Sequence, residues 1–164
     1  MIYKRIKQLV KKFKKYKIDG YIIPKNDEFF SEYANIDRLK TISNFSGSAG
    51  LAVILKKKNY LFVDGRYTIQ AQLQSGKLFK IIEIHKFLPH KILKNLTLGF
   101  DPSIHTRKQL YVYFGKSLFL KQINNNLVDE IYKKKIIKTK KFFSLKNNIA
   151  GESYKSKINR IRKI

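Results

Sequence analysis

Apolar residues recur at helical spacing at the start of the chain, with Ile2, Ile6, Leu9, Val10 and Phe13 on one face and lysines on the other. The chain therefore opens on an amphipathic helix. Asp19-Gly20 breaks the pattern, and "YIIP" follows as a short buried strand closed by Pro24. After a polar stretch with Asn26, Asp27 and Glu28, residues 36 to 43 suit one or two helical turns. "LAVIL" and "YLFV" are apolar runs separated by the four residues Lys56 to Asn59, which predicts an antiparallel hairpin. Asp64-Gly65 ends the second run, and Arg66 to Gln74 reads as a helix with Ile69 and Leu73 on one side and Gly76 at its end. "LFKIIEI", "LTLGFD" and "SLFL" read as strands, alternating with a helix in "HKFLPHKILKNL" interrupted near Pro89 and another in "TRKQLYVYFG". Alternating helices and strands give an α/β class, and the hairpin makes the sheet mixed, with helices packed on it.

The pattern weakens from residue 133. "KKKIIKTKKFFSLKNN" carries seven lysines and no acid, and reads as a basic linker over 133–149. Beyond it, Ser153 is a helix N-cap, with Ile158 and Ile161 at helical spacing. The expected organisation is one domain over 1–132, the linker, and the opening of a second domain over 150–164.

A length of 164 residues with 43% hydrophobic content supports one well-developed core. The net charge of +25 raises a nucleic-acid reading. Yet only six of the 36 basic residues are Arg (Arg5, Arg38, Arg66, Arg107, Arg160 and Arg162), and Arg is the residue suited to bidentate phosphate and base contacts. Lys, Ile, Asn, Phe and Tyr share A/T-rich codons, so coding bias accounts for the composition, and nucleic acid is not the expected partner. A basic domain that associates with nucleic acid, or a relic domain, is the alternative; lysines gathered on one face would favour the former. The chain has no Cys, which fits a reducing, cytoplasmic setting and excludes thiolate metal sites. No apolar run approaches the length of a membrane span, so no membrane partner is expected.

Ser46-Gly47-Ser48-Ala49-Gly50 has the glycines of a phosphate loop, but a strand follows it where a helix is needed, and no Lys-Ser/Thr pair comes after. It reads as a tight turn that admits positive φ and close backbone packing. Ser48 lacks the strand-to-helix elbow of a nucleophile, and His85, His90 and His105 are scattered without carboxylates at ligand spacing. No catalytic residue, metal ligand or cofactor site is expected in this chain. Asp64-Gly65-Arg66-Tyr67 stands at a strand's end, where open α/β sheets place binding residues. Asp64 can cap the next helix or meet a ligand, and both readings stand.

With these residues in view, the chain resembles the N-terminal domain of the aminopeptidase P (Xaa-Pro aminopeptidase) branch of the creatinase family. The likeness rests on "NDEFFSEY" at 26–33, Asp37-Arg38-Leu39, "ISNFSGSAGLAVI" at 42–54, "LFVDGRYTIQAQLQ" at 61–74, "GFDP" at 99–102, "NLVDEIY" at 126–132 and "AGESYKSKINRIR" at 150–162. The chain departs from the family at Tyr132, where Trp is usual, at Lys135-Ile136, where Arg-Pro tends to follow, and at "SNF", where "SGF" is common. The resemblance implies a creatinase-type fold, non-catalytic by itself, that shapes a substrate cleft and makes subunit contacts. Its implied partners are a pita-bread catalytic domain, here absent or encoded downstream, and a second copy in a homodimer. That catalytic domain would hold two divalent metals, typically Mn²⁺, and cleave the bond before a penultimate proline. By the same resemblance Arg66 faces the substrate cleft, supported by Asp64 and Tyr67.

Overall fold

The computed structural model describes residues 1–31, 36–115, 118–132 and 142–163. Its elements in chain order are α1 (Ile2–Tyr16), β1 (Gly20–Pro24), α2 (Arg38–Ser43), β2 (Gly50–Leu55), β3 (Asn59–Val63), α3 (Thr68–Ser75), β4 (Lys80–Glu83), α4 (Pro89–Ile92), β5 (Leu96–Phe100), α5 (Arg107–Phe114), β6 (Leu118–Gln122), α6 (Leu127–Ile131), α7 (Asn147–Ala150) and α8 (Tyr154–Ile161). The six strands form one sheet in the order β4-β3-β2-β1-β5-β6. β2 runs antiparallel to both β1 and β3, while the remaining neighbours are parallel. The expected hairpin is present, in the register Gly50↔Val63 to Ile54↔Asn59.

The central strands are covered on both faces, which is why they read as continuous apolar runs without alternation. On one face, Tyr21, Ile23, Ala52, Ile54, Leu61 and Val63 meet α1, α2, α3 and α6 through Leu9, Phe13, Leu39, Ile42, Ala71 and Leu127. On the other, Ile22, Val53, Phe62 and Leu98 meet α4 and α5 through Ile92, Leu110 and Phe114. Successive residues of one strand thus enter different cores, as the two-residue strand period requires.

Three local expectations are corrected. α1 ends at Tyr16 with Lys17 in the left-handed region at φ 51, and Ile18 donates its N–H to the Phe13 carbonyl. Gly20 does not stop the helix; it begins β1, where a Cβ would lie 2.7 Å from the Ile54 carbonyl oxygen. Pro89 starts a single-turn helix and does not interrupt a longer one, because the first turn needs no N–H from it. The helix expected from Arg66 begins only at Thr68, because Gly65–Tyr67 form a 3-10 turn. Ile69 and Leu73 are 77% and 82% exposed, and the helix meets the sheet through the small residues Ala71 and Ser75.

α2 is tied to α6 by Arg38, whose side chain is buried. Its Nε donates to Asp129 Oδ1 at 2.9 Å, and its Nη2 donates to Asp129 Oδ2 at 2.8 Å and to Glu28 Oε1 at 2.7 Å. α1 joins the same layer through Lys12, which donates to Glu130 at 2.6 Å.

The chain divides into two compact units, Met1–Lys134 and Lys135–Ile164. Within the second, Ser153 caps α8 by accepting from the Ser156 N–H. The lysines of 133–141 lie outside the described residues.

Candidate functional site

β3 ends at Val63, and the chain turns at once into a single 3-10 turn, Gly65–Tyr67, before α3. Asp64 makes that turn. Its Oδ1 accepts from the Arg66 N–H at 3.0 Å and from Arg66 Nε at 2.9 Å. Its Oδ2 stands 3.6 Å from His85 Nε2, at the end of the neighbouring parallel strand β4. Hydrogen bonding from the Arg66 side chain, then from the Arg66 backbone, lowers the Asp64 carboxyl to about 2, so it is ionised throughout the physiological range. Asp64 therefore caps the turn and orients the exposed Arg66 guanidinium beyond the carboxyl edge of the sheet.

Tyr67 ties this turn to the loop before β2. Its hydroxyl lies 2.8 Å from Ser48 Oγ, and its ring meets Phe45 edge-on at 5.9 Å between centroids. Arg66 Cζ lies over the same ring, 5.5 Å from its centroid. All three sequence-derived residues, Asp64, Arg66 and Tyr67, thus belong to one cluster.

The Ser-Gly-Ser-Ala-Gly loop is the other half of that cluster. Ser46 donates its N–H to Gln74 Oε1 at 2.9 Å and accepts from Gln74 Nε2 at 2.9 Å and Gln70 Nε2 at 3.0 Å. Gly47 lies against the Phe45 ring, where an added Cβ would sit 2.3 Å from Cζ. Close packing is the reason for this glycine. The positive φ expected of the loop is not used, since Gly151 is the only positive-φ glycine among the described residues. Gln70 and Gln74 escaped the sequence reading; their signal was a pair of amides four apart on one helical face.

His85 joins this end of the sheet, whereas the other histidines lie apart. His105 is buried against Phe100, with Nδ1 2.8 Å from the Asp101 carbonyl, and burial lowers its pKa from 6.5. A cavity of about 330 Å³ opens beside the cluster, bounded by Lys25, Phe30, Ser48, Asp64, His85 and Tyr113. Among the described residues no three His, Cys, Asp or Glu side chains gather as a metal site, and no helix is long and apolar enough to cross a membrane. Exposed lysines are distributed among α1 (Lys4, Lys7, Lys11), the β2–β3 turn (Lys56 to Lys58), the end of α3 (Lys77) and β6 (Lys121).

Comparison with known proteins places this geometry in context. Residues 5–119 match the model of the Creatinase/Prolidase N-terminal domain. The chain is 36% identical over 127 residues to Aminopeptidase P1 of Lotus japonicus, a match covering 70% of this chain and 19% of that protein. It is 32% identical over 145 residues to a probable Xaa-Pro aminopeptidase P of Laccaria bicolor, covering 78% and 22%. The chain thus spans about a fifth of the length of these relatives. Among solved structures, the X-prolyl aminopeptidase of Caenorhabditis elegans, described as a cytosolic enzyme with a di-nuclear active site, superposes with a TM-score of 0.74 at 23% identity, over 99% of this chain and 31% of that one. The N-terminal domain of the cytoplasmic peptidase PepQ of Mycobacterium tuberculosis H37Rv gives 0.59 at 21% identity, over 79% and 98%. These two show a shared fold.

Proposed function

Because the chain belongs to the creatinase/prolidase N-terminal domain family, we propose that it is the non-catalytic N-terminal module of an Xaa-Pro aminopeptidase, and that it borders the substrate cleft of a separate catalytic domain. The observation that carries this reading is the Asp64–Arg66 pair. It holds an exposed guanidinium at the carboxyl edge of the sheet, on the motif that carries the resemblance to the family. Arg66 would there meet a carbonyl or carboxylate of the bound peptide, with Asp64 fixing its direction and Tyr67 its base. The divalent metal and the hydrolytic step belong, in this reading, to the catalytic domain, and the assembly works in the cytoplasm. Of the two partners implied by the resemblance, the catalytic polypeptide is the one this reading requires.

The test is hydrolysis of Xaa-Pro peptides with Mn²⁺, on the chain alone and after mixing with the catalytic polypeptide. The chain alone is expected to be silent and the mixture active. Arg66→Ala should raise KM about tenfold through loss of one charge-assisted contact, while Arg66→Lys recovers part of it. A silent mixture of two folded polypeptides would overturn the reading.

A further inference from the structure

Phe30 stands in the left-handed region at φ 58, which bulky side chains rarely enter. Its loop holds it there. Asp27 Oδ1 accepts from the N–H groups of Phe29 and Ser31 at 3.0 and 2.8 Å, and Phe30 donates its own N–H to the Asp27 carbonyl at 3.1 Å. Glu28 is tied to Arg38, Lys25 to Asp37, and Asn26 Nδ2 donates to the Ile104 carbonyl at 2.9 Å. A backbone conformation of this cost persists where its surroundings over-determine it, and such residues gather at binding sites. Phe30 belongs to neither core of the sheet and is half-exposed.

The fold sets that residue in the wall of two depressions at once. Phe30, Gln109 and Tyr113 line the cavity beside Asp64 and His85, and the same three residues line a second depression of about 330 Å³ with Thr106, Lys108 and Val112. The two form one groove, which starts beside Asp64 and continues past Phe30 onto α5. Its outer half is largely apolar and aromatic, with Lys108 as the only charge in its lining. Gln109 Oε1 is buried without a hydrogen-bond partner among the described residues, so swinging that amide towards a bound peptide N–H would break no bond it now makes. Aromatic walls with one adaptable amide suit an extended peptide, whose side chain packs on the rings while its backbone takes the amide.

Removal of a single residue from the N-terminus leaves all the remaining length of an Xaa-Pro peptide on the proline side of the scissile bond. We propose that the groove over Phe30, Val112 and Tyr113 receives the residues that follow the proline, and that it favours an apolar side chain there. The inference rests on the function proposed above and names a specificity-determining surface for it. Continuity of the groove with the cavity at Asp64 is what selects this occupant. An aliphatic or aromatic side chain lies on the Phe30 and Tyr113 rings, and Lys108 meets a free C-terminal carboxylate more readily than a basic side chain.

Kinetics with defined peptides decide it. The chain mixed with the catalytic polypeptide is given Ala-Pro-Gly-Gly-Gly and three peptides that carry Phe at the third, fourth or fifth position. At least one of the three should show a KM about fivefold to tenfold below that of the all-glycine peptide, through partial burial of one ring. Phe30→Asn, a residue that tolerates the left-handed region, should bring that ratio close to one. Val112→Asp, at an exposed position of α5, should do the same, while Lys57→Ala in the β2–β3 turn should leave the ratio as it is. A ratio near one for the unaltered chain at all three positions, or a preference that survives both groove variants, overturns the groove assignment and leaves the aminopeptidase reading standing. A silent mixture overturns both. Self-association of the chain that Phe30→Asn abolishes would assign the groove to a second copy and overturn the choice of occupant.

Discussion

α1 and α3 lie on the same face of the sheet and use opposite halves of their sequence to reach it. α1 buries Ile6, Leu9 and Phe13 and turns its lysines to water. α3 buries Ala71 and Ser75 and turns Ile69 and Leu73 outward. Periodicity identifies both as helices, but it does not say which face a partner takes. For α1, the partner is the sheet and the apolar face has no rival. For α3, Ser75 Oγ donates to the Ser43 carbonyl, and Gln70 and Gln74 grip Ser46. Hydrogen bonding and small-residue packing therefore orient the helix against its apolar stripe.

The sharpest way to break this contrast is to truncate the apolar side chains of each helix. Phe13→Ala should cost about 3–5 kcal/mol through transfer and cavity terms. Leu73→Ala should change stability by no more than ~0.5 kcal/mol, as at other exposed positions. Urea unfolding measures both, and a Leu73 cost near that of Phe13 would mean that α3 packs by its aliphatic face in solution.

Next in size is the polar clamp behind the same layer. Arg38→Ala leaves Asp129 and Glu28 without their cation, and should cost on the order of 3 kcal/mol, reduced by the partial exposure of both carboxylates. Asp129→Asn should cost less, because one hydrogen-bond acceptor remains.

Acid should loosen α1 before α3. Glu130 is held below its usual range, chiefly by its hydrogen bond from Lys12, and Asp19 by its bond from the Thr97 N–H. Carboxyls depressed in the folded state contribute stability above their unfolded pKa values and lose it as pH falls through the folded ones. His105 acts earlier and on the other face. Its folded pKa is lowered by burial, so the unfolded chain takes up the proton first, and stability declines as pH falls below about 6.5. His105→Gln should flatten the melting temperature between pH 7 and 5. Glu130→Gln should flatten it below pH 5 by the equivalent of less than about 1 kcal/mol, since the Lys12 pair is partly exposed.

Much of the fold was legible in the sequence because its signals are local. The helix of Ile2 to Phe13, the hairpin and the Ser153 cap each depend on residues a few positions apart. What escaped depends on long-range company. Nothing within ten residues of Arg38 announces Asp129, although an Arg retained in so lysine-rich a chain hints at a site that needs a planar, forked donor. Tyr67 and Ser48 looked like members of two separate motifs, and only the sheet shows them as one contact. The Asp64 cap was legible because its partner is two residues away; His85 was not, because the parallel pairing of β3 and β4 brings it there.

That joining of two motifs across a hairpin decides where the chain can be lengthened. The ladder from Gly50↔Val63 to Ile54↔Asn59 sets the distance between the Ser-Gly-Ser-Ala-Gly loop and Tyr67, so a residue deleted within either strand would slip the pairing and exchange inward for outward side chains. Lys56 to Lys58 lie beyond the last pair and are exposed. An affinity handle or a reporter spliced in at that tip would leave the Ser48–Tyr67 contact at the far end untouched.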